Sequence, residues 1–309
     1  MALVLETAQK IFKPLKVLMY GPSNSGKTLG ALYLASGMVM EKRNCTVEES
    51  YKHIVVIDSE FGRGAVYSSL GSYYYIQVTA PYTTKKLTDL IIQLDIMEDI
   101  DVIIVDSMTH YWSKSGGILE QKTQKDNLGM GNSYTNWQEF TQVFNTMIDI
   151  ILASPKIIIT TARAKSDTVL ISNDKGKMAP KTYGLKPDLR DGIDFEFDIT
   201  INVDKDTHSI LLEKSIPGLN TIYDIITTDV GREFYRVNAT NAVVVARNAE
   251  TIRDSIRTMS RQFPSLIVFV QLQLSGRKLE DLEEAELLDL EKKTIAELHK
   301  VQVDKSKKQ

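Results

Sequence analysis

Eight residues, GPSNSGKT at positions 21–28, constrain this chain more than any other stretch. They fit the pattern G-x-x-x-x-G-K-[ST] and stand between an apolar run, KVLMY (16–20), and a helical apolar pattern over 27–40. A strand that ends in such a loop and restarts as a helix turns several backbone N–H groups toward one point. The positive end of the helix dipole reinforces them, so the motif suits a polyphosphate. Gly21, Pro22, Ser23, Asn24, Ser25 and Gly26 are the expected cradle. Lys27 is expected to reach the β- and γ-phosphates, and the Thr28 hydroxyl to bind magnesium. ATP and Mg2+ are therefore the expected cofactors.

The rest of the chain supplies a sheet for that loop. HIVVID (53–58), DVIIVD (101–106) and KIIITT (156–161) join KVLMY as continuous apolar runs, the signature of strands covered on both faces. Helical spacing over 27–40, 83–97 and 136–152 alternates with them. This predicts an α/β fold with a mainly parallel sheet flanked by helices. YYYIQV (73–78) is a further candidate strand, and from 193 alternating residues on either side of DKDTH read as a hairpin extending the sheet. Residues 1–241 are expected to form the core. Residues 242–309 are expected to form an appendage with an apolar run (266–274), a charged helix over 278–302 and a disordered tail.

Composition sets limits on the surroundings. A net charge of −3 gives no global attraction to nucleic acid or anionic membrane, so any nucleic-acid surface must be local. The single cysteine, Cys45, excludes an intrachain disulfide and fits a reducing compartment. The first residues make a poor secretion signal, and no apolar run approaches the roughly 20 residues that span a bilayer. A cytoplasmic protein with no membrane partner is expected.

Two acidic segments complement the phosphate loop. Asp106 ends the apolar strand of DVIIVDSMTH, where a carboxylate can hold magnesium through water. In HIVVIDSEFGRG both Asp58 and Glu60 lie just past a strand, on the edge where such sheets bind ligands, and either could orient an attacking water. His53, His110, His208 and His299 are scattered and suggest no metal site.

Taken together, GPSNSGKT, IDSE, VIIVDS, IIITTARAK and YGLKPDLRDGIDFEFD resemble the RecA-like ATPase core over about 14–230. The resemblance is nearest to phage RecA-like ATPases of the Sak type, which act on single-stranded DNA. It implies a RecA-like P-loop fold, with Glu60 as the catalytic glutamate and Asp106 as the Walker B aspartate. Thr160, Thr161 and Arg163 stand where γ-phosphate is sensed, although RecA itself has an Asn-Gln pair there. It further implies that two loops, 112–135 and 163–190, bind DNA. Lys122 and Lys125 lie in the first; Arg163, Lys165, Lys175, Lys177, Lys181 and Lys186 lie in the second. Clustered cations there suit phosphates, and Tyr134 and Tyr183 suit base stacking. Lys214 is expected to act on a neighbouring subunit's ATP. Single-stranded DNA, a homo-oligomer, and a single-strand-binding or other replication protein are the partners implied, in host cytoplasm if the chain is phage-encoded. The little chain before residue 14 leaves no room for RecA's N-terminal oligomerisation helix. A loader or motor acting on a protein such as a helicase, a P-loop kinase, and an ATP-gated assembly protein with little turnover are the rival readings.

Overall fold

The apolar run Lys16–Gly21 is β1, buried at every position in a computed structural model that describes residues 12–172, 178–240, 249–262, 265–291, 293, 294 and 297. Lys16, the one charged residue in it, is buried too. Its ammonium donates to the carbonyls of Pro14, Ser154 and Lys156 at 3.1, 2.9 and 2.7 Å. After the phosphate loop the chain forms α1 (Lys27–Arg43), closed by Asn44 in the left-handed region. Next come α2 (Val47–Tyr51), N-capped by Thr46, and β2 (Ile54–Asp58). A 3-10 segment (Arg63–Leu70) leads to β3 (Tyr74–Gln77). The chain continues through α3 (Thr84–Asp95), capped by Thr83, and β4 (Val102–Asp106). Then follow α4 (Met108–Ser113), α5 (Ile118–Asn127) and α6 (Ser133–Ala153), which starts with a capping box between Asn132 and Thr135. β5 (Ile157–Ser172), β6 (Met178–Pro187), β7 (Ile199–Val203), β8 (Ile210–Lys214) and β9 (Ile222–Tyr223) precede α7 (Thr228–Ala239).

The sheet order is β3-β2-β4-β5-β1-β7-β8-β9, with β6 paired only to β5. The strands from β3 to β7 run parallel, while β6, β8 and β9 pair antiparallel. Alternate residues feed an apolar layer on each face. Ile103, Val105 and Ile158 pack with Leu87, Ile91, Phe144 and Met147. Val17, Met19, Ile104 and Ile159 pack with Leu32, Leu34, Met38 and Phe234. Both-sided burial is why these strands read as unbroken apolar runs. Where α1 meets α7, a Cβ on Gly37 would fall 1.9 Å from the Thr228 carbonyl oxygen, and one on Gly231 2.3 Å from that of Leu34. Glycine is required at both positions by backbone contact.

Two expectations are corrected here. The segment 112–135 is mainly helical, containing the end of α4 and all of α5. Most of the segment 163–190 is strand, because β5 runs on to Ser172 and pairs antiparallel with β6 from Ala164↔Pro187 to Ser172↔Met178. The β-branched Thr168, Val169 and Ile171 favour that extension. Lys175 and Lys177 lie outside the described residues.

Lys13–Thr240 forms one compact unit, and the described residues from 249 onward belong to another. The second contains α8 (Ala249–Gln262), α9 (Ser265–Leu274), a 3-10 turn (Leu279–Asp281) and helical residues 284–291. Ile252, Ile256, Val270, Leu282, Leu287 and Leu290 form its apolar cluster. Helix here starts at 284, six residues later than expected, and the C-terminal tail lies outside the described residues. Among the described residues no helix is long and apolar enough to cross a membrane.

Candidate nucleotide-binding site

β1 delivers the chain into Gly21–Gly26, and the local turn has physical reasons. Gly26 sits at φ 88°, ψ 13°, a region glycine enters without steric cost. Asn24, φ 65°, is the short polar exception. A Cβ on Gly21 would lie 2.5 Å from the Val203 carbonyl oxygen, so the end of β7 closes tightly on the loop. Ser25 is fully buried. His208 Nδ1 lies 3.1 Å from the Ser25 carbonyl, brought there by the turn between β7 and β8. In that turn Asp204 Oδ1 accepts from the amides of Asp206 and Thr207 and from the Thr207 hydroxyl.

Lys27 Nζ donates to the carbonyls of Gly21 (3.0 Å) and Pro22 (2.6 Å) and lies 3.4 Å from Ser25 Oγ. Burial lowers its pKa, and Asp106 and Glu60 oppose that shift. The Thr28 hydroxyl donates to Asp106 Oδ2 at 2.7 Å, and the Thr161 hydroxyl donates to Asp106 Oδ1. Burial raises the Asp106 pKa against these two donors.

Glu60 settles the choice between the two acids. Asp58, fully buried, accepts from the amides of Glu60 and Gly64 and from the Tyr75 hydroxyl, so it shapes the turn. Glu60 instead enters the cavity beside Lys27 and Asp106. Its Oε1 accepts from Arg163 Nε (3.1 Å), Arg163 Nη2 (3.0 Å) and the Ser107 hydroxyl (3.3 Å), and its Oε2 from Arg63 at 3.1 Å. Burial alone would raise its carboxyl, but Arg163, His110 and Arg63 outweigh it and hold Glu60 below the usual range.

Lys27, Thr28, Glu60, Arg63, Asp106 and Arg163 line a cavity of about 240 Å³ together with Ser23, Asn24 and Gly26. Three cations, Lys27, Arg63 and Arg163, face two carboxylates there, which fits a polyphosphate carrying a divalent ion. Among the described residues no group of three or more His, Cys, Asp or Glu could hold a metal alone. Thr28 and Asp106 can supply only part of a shell, the arrangement magnesium adopts when phosphates and water complete it.

A family model described as an AAA domain matches residues 13–248. The chain belongs to this AAA domain family. Membership implies a nucleotide-binding P-loop ATPase domain. With the loop at the carboxyl end of β1, between β5 and β7, the fold is the mainly parallel, helix-flanked P-loop sheet expected from the sequence. Among solved structures, a KaiC-like protein from the hyperthermophilic archaeon Pyrococcus horikoshii is similar at 14% identity and a TM-score of 0.36, covering 66% of this chain and 80% of that one. No curated protein matches.

The remaining expected site residues of this AAA domain fall in different settings. Thr161 is committed to Asp106 rather than turned into the cavity, and Thr160 donates to the Val17 carbonyl. Arg163, expected both where γ-phosphate is sensed and in a DNA loop, lines the nucleotide cavity, because β5 pairs it with Gly21. Lys122, 9% exposed, pairs with Asp126, donates to Ser133 and lies 5.1 Å from the Trp137 ring. Lys125 pairs with Glu139. Lys165 donates to the Leu189 carbonyl at 2.9 Å, and Lys186 pairs with Asp191 at 3.0 Å and Asp167 at 3.3 Å. Lys181 is in β6. Lys214 stands opposite Thr200 and donates to the Phe195 carbonyl at 2.5 Å, toward the end of the sheet away from the phosphate loop. Sequence reasoning missed Arg63, Ser107, His110 and His208. Only His208 carried a local signal, the Asx-turn pattern of Asp204 and Thr207 before it.

Proposed function

We propose that this chain hydrolyses Mg–ATP and couples hydrolysis to single-stranded DNA, in phage recombination, annealing or replication, as a homo-oligomer. The observation that carries the ATPase reading is the convergence of Lys27, the Thr28–Asp106 pair and Glu60 on one cavity. In this reading the loop amides and Lys27 bind the β- and γ-phosphates. Thr28 and Asp106 hold magnesium, which neutralises phosphate charge. Glu60 orients a water for attack on the γ-phosphate, and Arg63 and Arg163 balance the charge that develops.

The DNA part rests on position. β5 leaves the cavity at Arg163 and continues directly into its antiparallel pairing with β6, and the two strands carry Lys165, Lys181 and Lys186. A strand held there would pull on the element that carries Arg163. A second reading, an ATPase that acts on a protein partner such as a helicase, is favoured by the acids that already pair with Lys122, Lys125 and Lys186.

Steady-state ATP hydrolysis with and without single-stranded DNA, at low and high salt, tests the choice, with Lys27→Ala as the control that abolishes turnover. The DNA reading expects severalfold acceleration that salt removes. Lys27-dependent hydrolysis indifferent to DNA, with no DNA bound, would move the assignment to a protein partner.

A further inference from the structure

A second cavity, about 610 Å³, shares only Arg163 with the nucleotide cavity among its lining residues. Aromatic rings make its walls. Tyr82 and His110 are buried, with ring centroids 5.0 Å apart. Phe61 stands edge-on to His110 at 6.4 Å, yet is 82% exposed. Its φ of 57° lies in the left-handed region, which a phenylalanine rarely adopts. Backbone strain that holds a large apolar ring out in water, immediately after the catalytic candidate Glu60, points to a ligand for that ring. Cations complete the pocket: Arg163, and Lys114, which has no acid partner among the described residues.

We propose that this cavity takes one nucleotide unit of a single strand, with its base against Phe61, Tyr82 and His110 and its phosphate near Lys114 and Arg163. The inference rests on the single-strand reading above. The chemistry is that of unpaired nucleotides: every base offers a π-face for stacking once it leaves a duplex, and its phosphate offers charge to cations. The site would also give a short path to hydrolysis. Arg163 Nη2 lies 3.4 Å from His110 Nε2 and donates to Glu60. A strand phosphate drawn to Arg163 therefore competes for the guanidinium that holds the water-orienting carboxylate. The coupling runs through one side chain shared by both cavities.

The test is fluorescence anisotropy of the full chain with a labelled oligo(dT) and with an abasic oligomer of equal length, over a salt series. Wild type should bind oligo(dT) about tenfold more tightly than the abasic strand, the scale of one stacked base. Phe61→Ala, a change at an exposed side chain, should remove that preference and leave abasic binding unchanged. Lys114→Ala should weaken both strands alike and reduce the salt slope by about one phosphate contact. Equal binding of the two strands by wild type, or a preference that survives Phe61→Ala, would overturn the pocket while leaving single-strand binding intact. Displacement of oligo(dT) by thymidine monophosphate at comparable concentration would make this a free-nucleotide site instead. A change in oligomeric state in Phe61→Ala, without a change in strand affinity, would assign Phe61 to a contact between copies. If wild type binds neither strand, the single-strand reading itself falls, and this inference with it.

Discussion

Arg163 and Glu60 are joined by two hydrogen bonds, from Nε and Nη2 to the same carboxylate oxygen at 3.1 and 3.0 Å. Burial pushes the Glu60 carboxyl up and Arg163 pulls it below its usual range. Wild type therefore keeps Glu60 ionised until the pH falls through that lowered pKa. Arg163→Ala removes the strongest opposing charge and lets burial act, so the carboxyl protonates at a higher pH. The acid limb of the kcat profile should move upward in the variant, as pH–rate curves for the two proteins would show. An unmoved limb would mean Glu60 is not the group titrating.

Asp106 accepts from both Thr28 and Thr161, and an amide of the same shape keeps an acceptor but loses the charge. Asp106→Asn should lower turnover by roughly 10²–10³-fold, the scale of a metal ion's several kcal/mol of charge stabilisation. A magnesium titration of the rate should show half-saturation at a higher concentration than wild type.

Gly37 and Gly231 let α1 and α7 touch backbone to backbone. Gly37→Ala or Gly231→Ala forces the helices apart and should cost about 1–3 kcal/mol, as overpacked sites do. Thermal melts should show a drop of several degrees for either variant. The two changes together should cost less than the sum, since one displacement relieves both clashes.

Asp95 accepts from the Ser154 hydroxyl, and burial raises its pKa to about 6, against Ser154, Lys16 and Lys156. Between the unfolded value and about 6 the folded chain binds the extra proton, so this group favours folding at low pH and that contribution is lost as pH rises. Asp95→Asn is neutral throughout. It should raise the melting temperature at pH 7.5, and the gain should shrink as pH falls below about 6. Melts across that range check the sign.

How much of this was legible depended on how far apart the cooperating residues are in the chain. Lys27, Thr28 and Asp106 follow from strand–loop–helix signals that occupy a few consecutive residues each. Strand-end position alone leaves Asp58 and Glu60 both open, and only the RecA-like resemblance singles out Glu60; the physical answer lies in a turn through Phe61 and Gly62, both at positive φ, that sends one carboxylate into the turn and the other into the cavity. Arg163 stands where the RecA-like resemblance puts γ-phosphate sensing, yet it also reads as one of a run of basic residues. Only the parallel pairing of Gly21 with Arg163, across 142 positions, brings it to the phosphates. Lysines and other polar residues in β5 and β6 hid an antiparallel ladder with a register shift after Asp167, and the pattern read as a loop. Lys122 was legible in retrospect, since Asp126 sits one helical turn on and pairs with it. DKDTH marks the turn that carries His208, but nothing local in it says that the turn meets the phosphate loop at Ser25.

In the proposed reaction Glu60 orients the water that attacks ATP bound by Lys27. Glu60→Gln tests it most directly, because the amide keeps the size of the side chain and can still accept from Arg163. Nucleotide binding and single-turnover hydrolysis would be measured on the same preparation. Glu60→Gln should keep wild-type affinity for Mg–ATP while hydrolysis falls at least about 100-fold, within the range that general-base catalysis supplies. Hydrolysis at the wild-type rate by Glu60→Gln would contradict it.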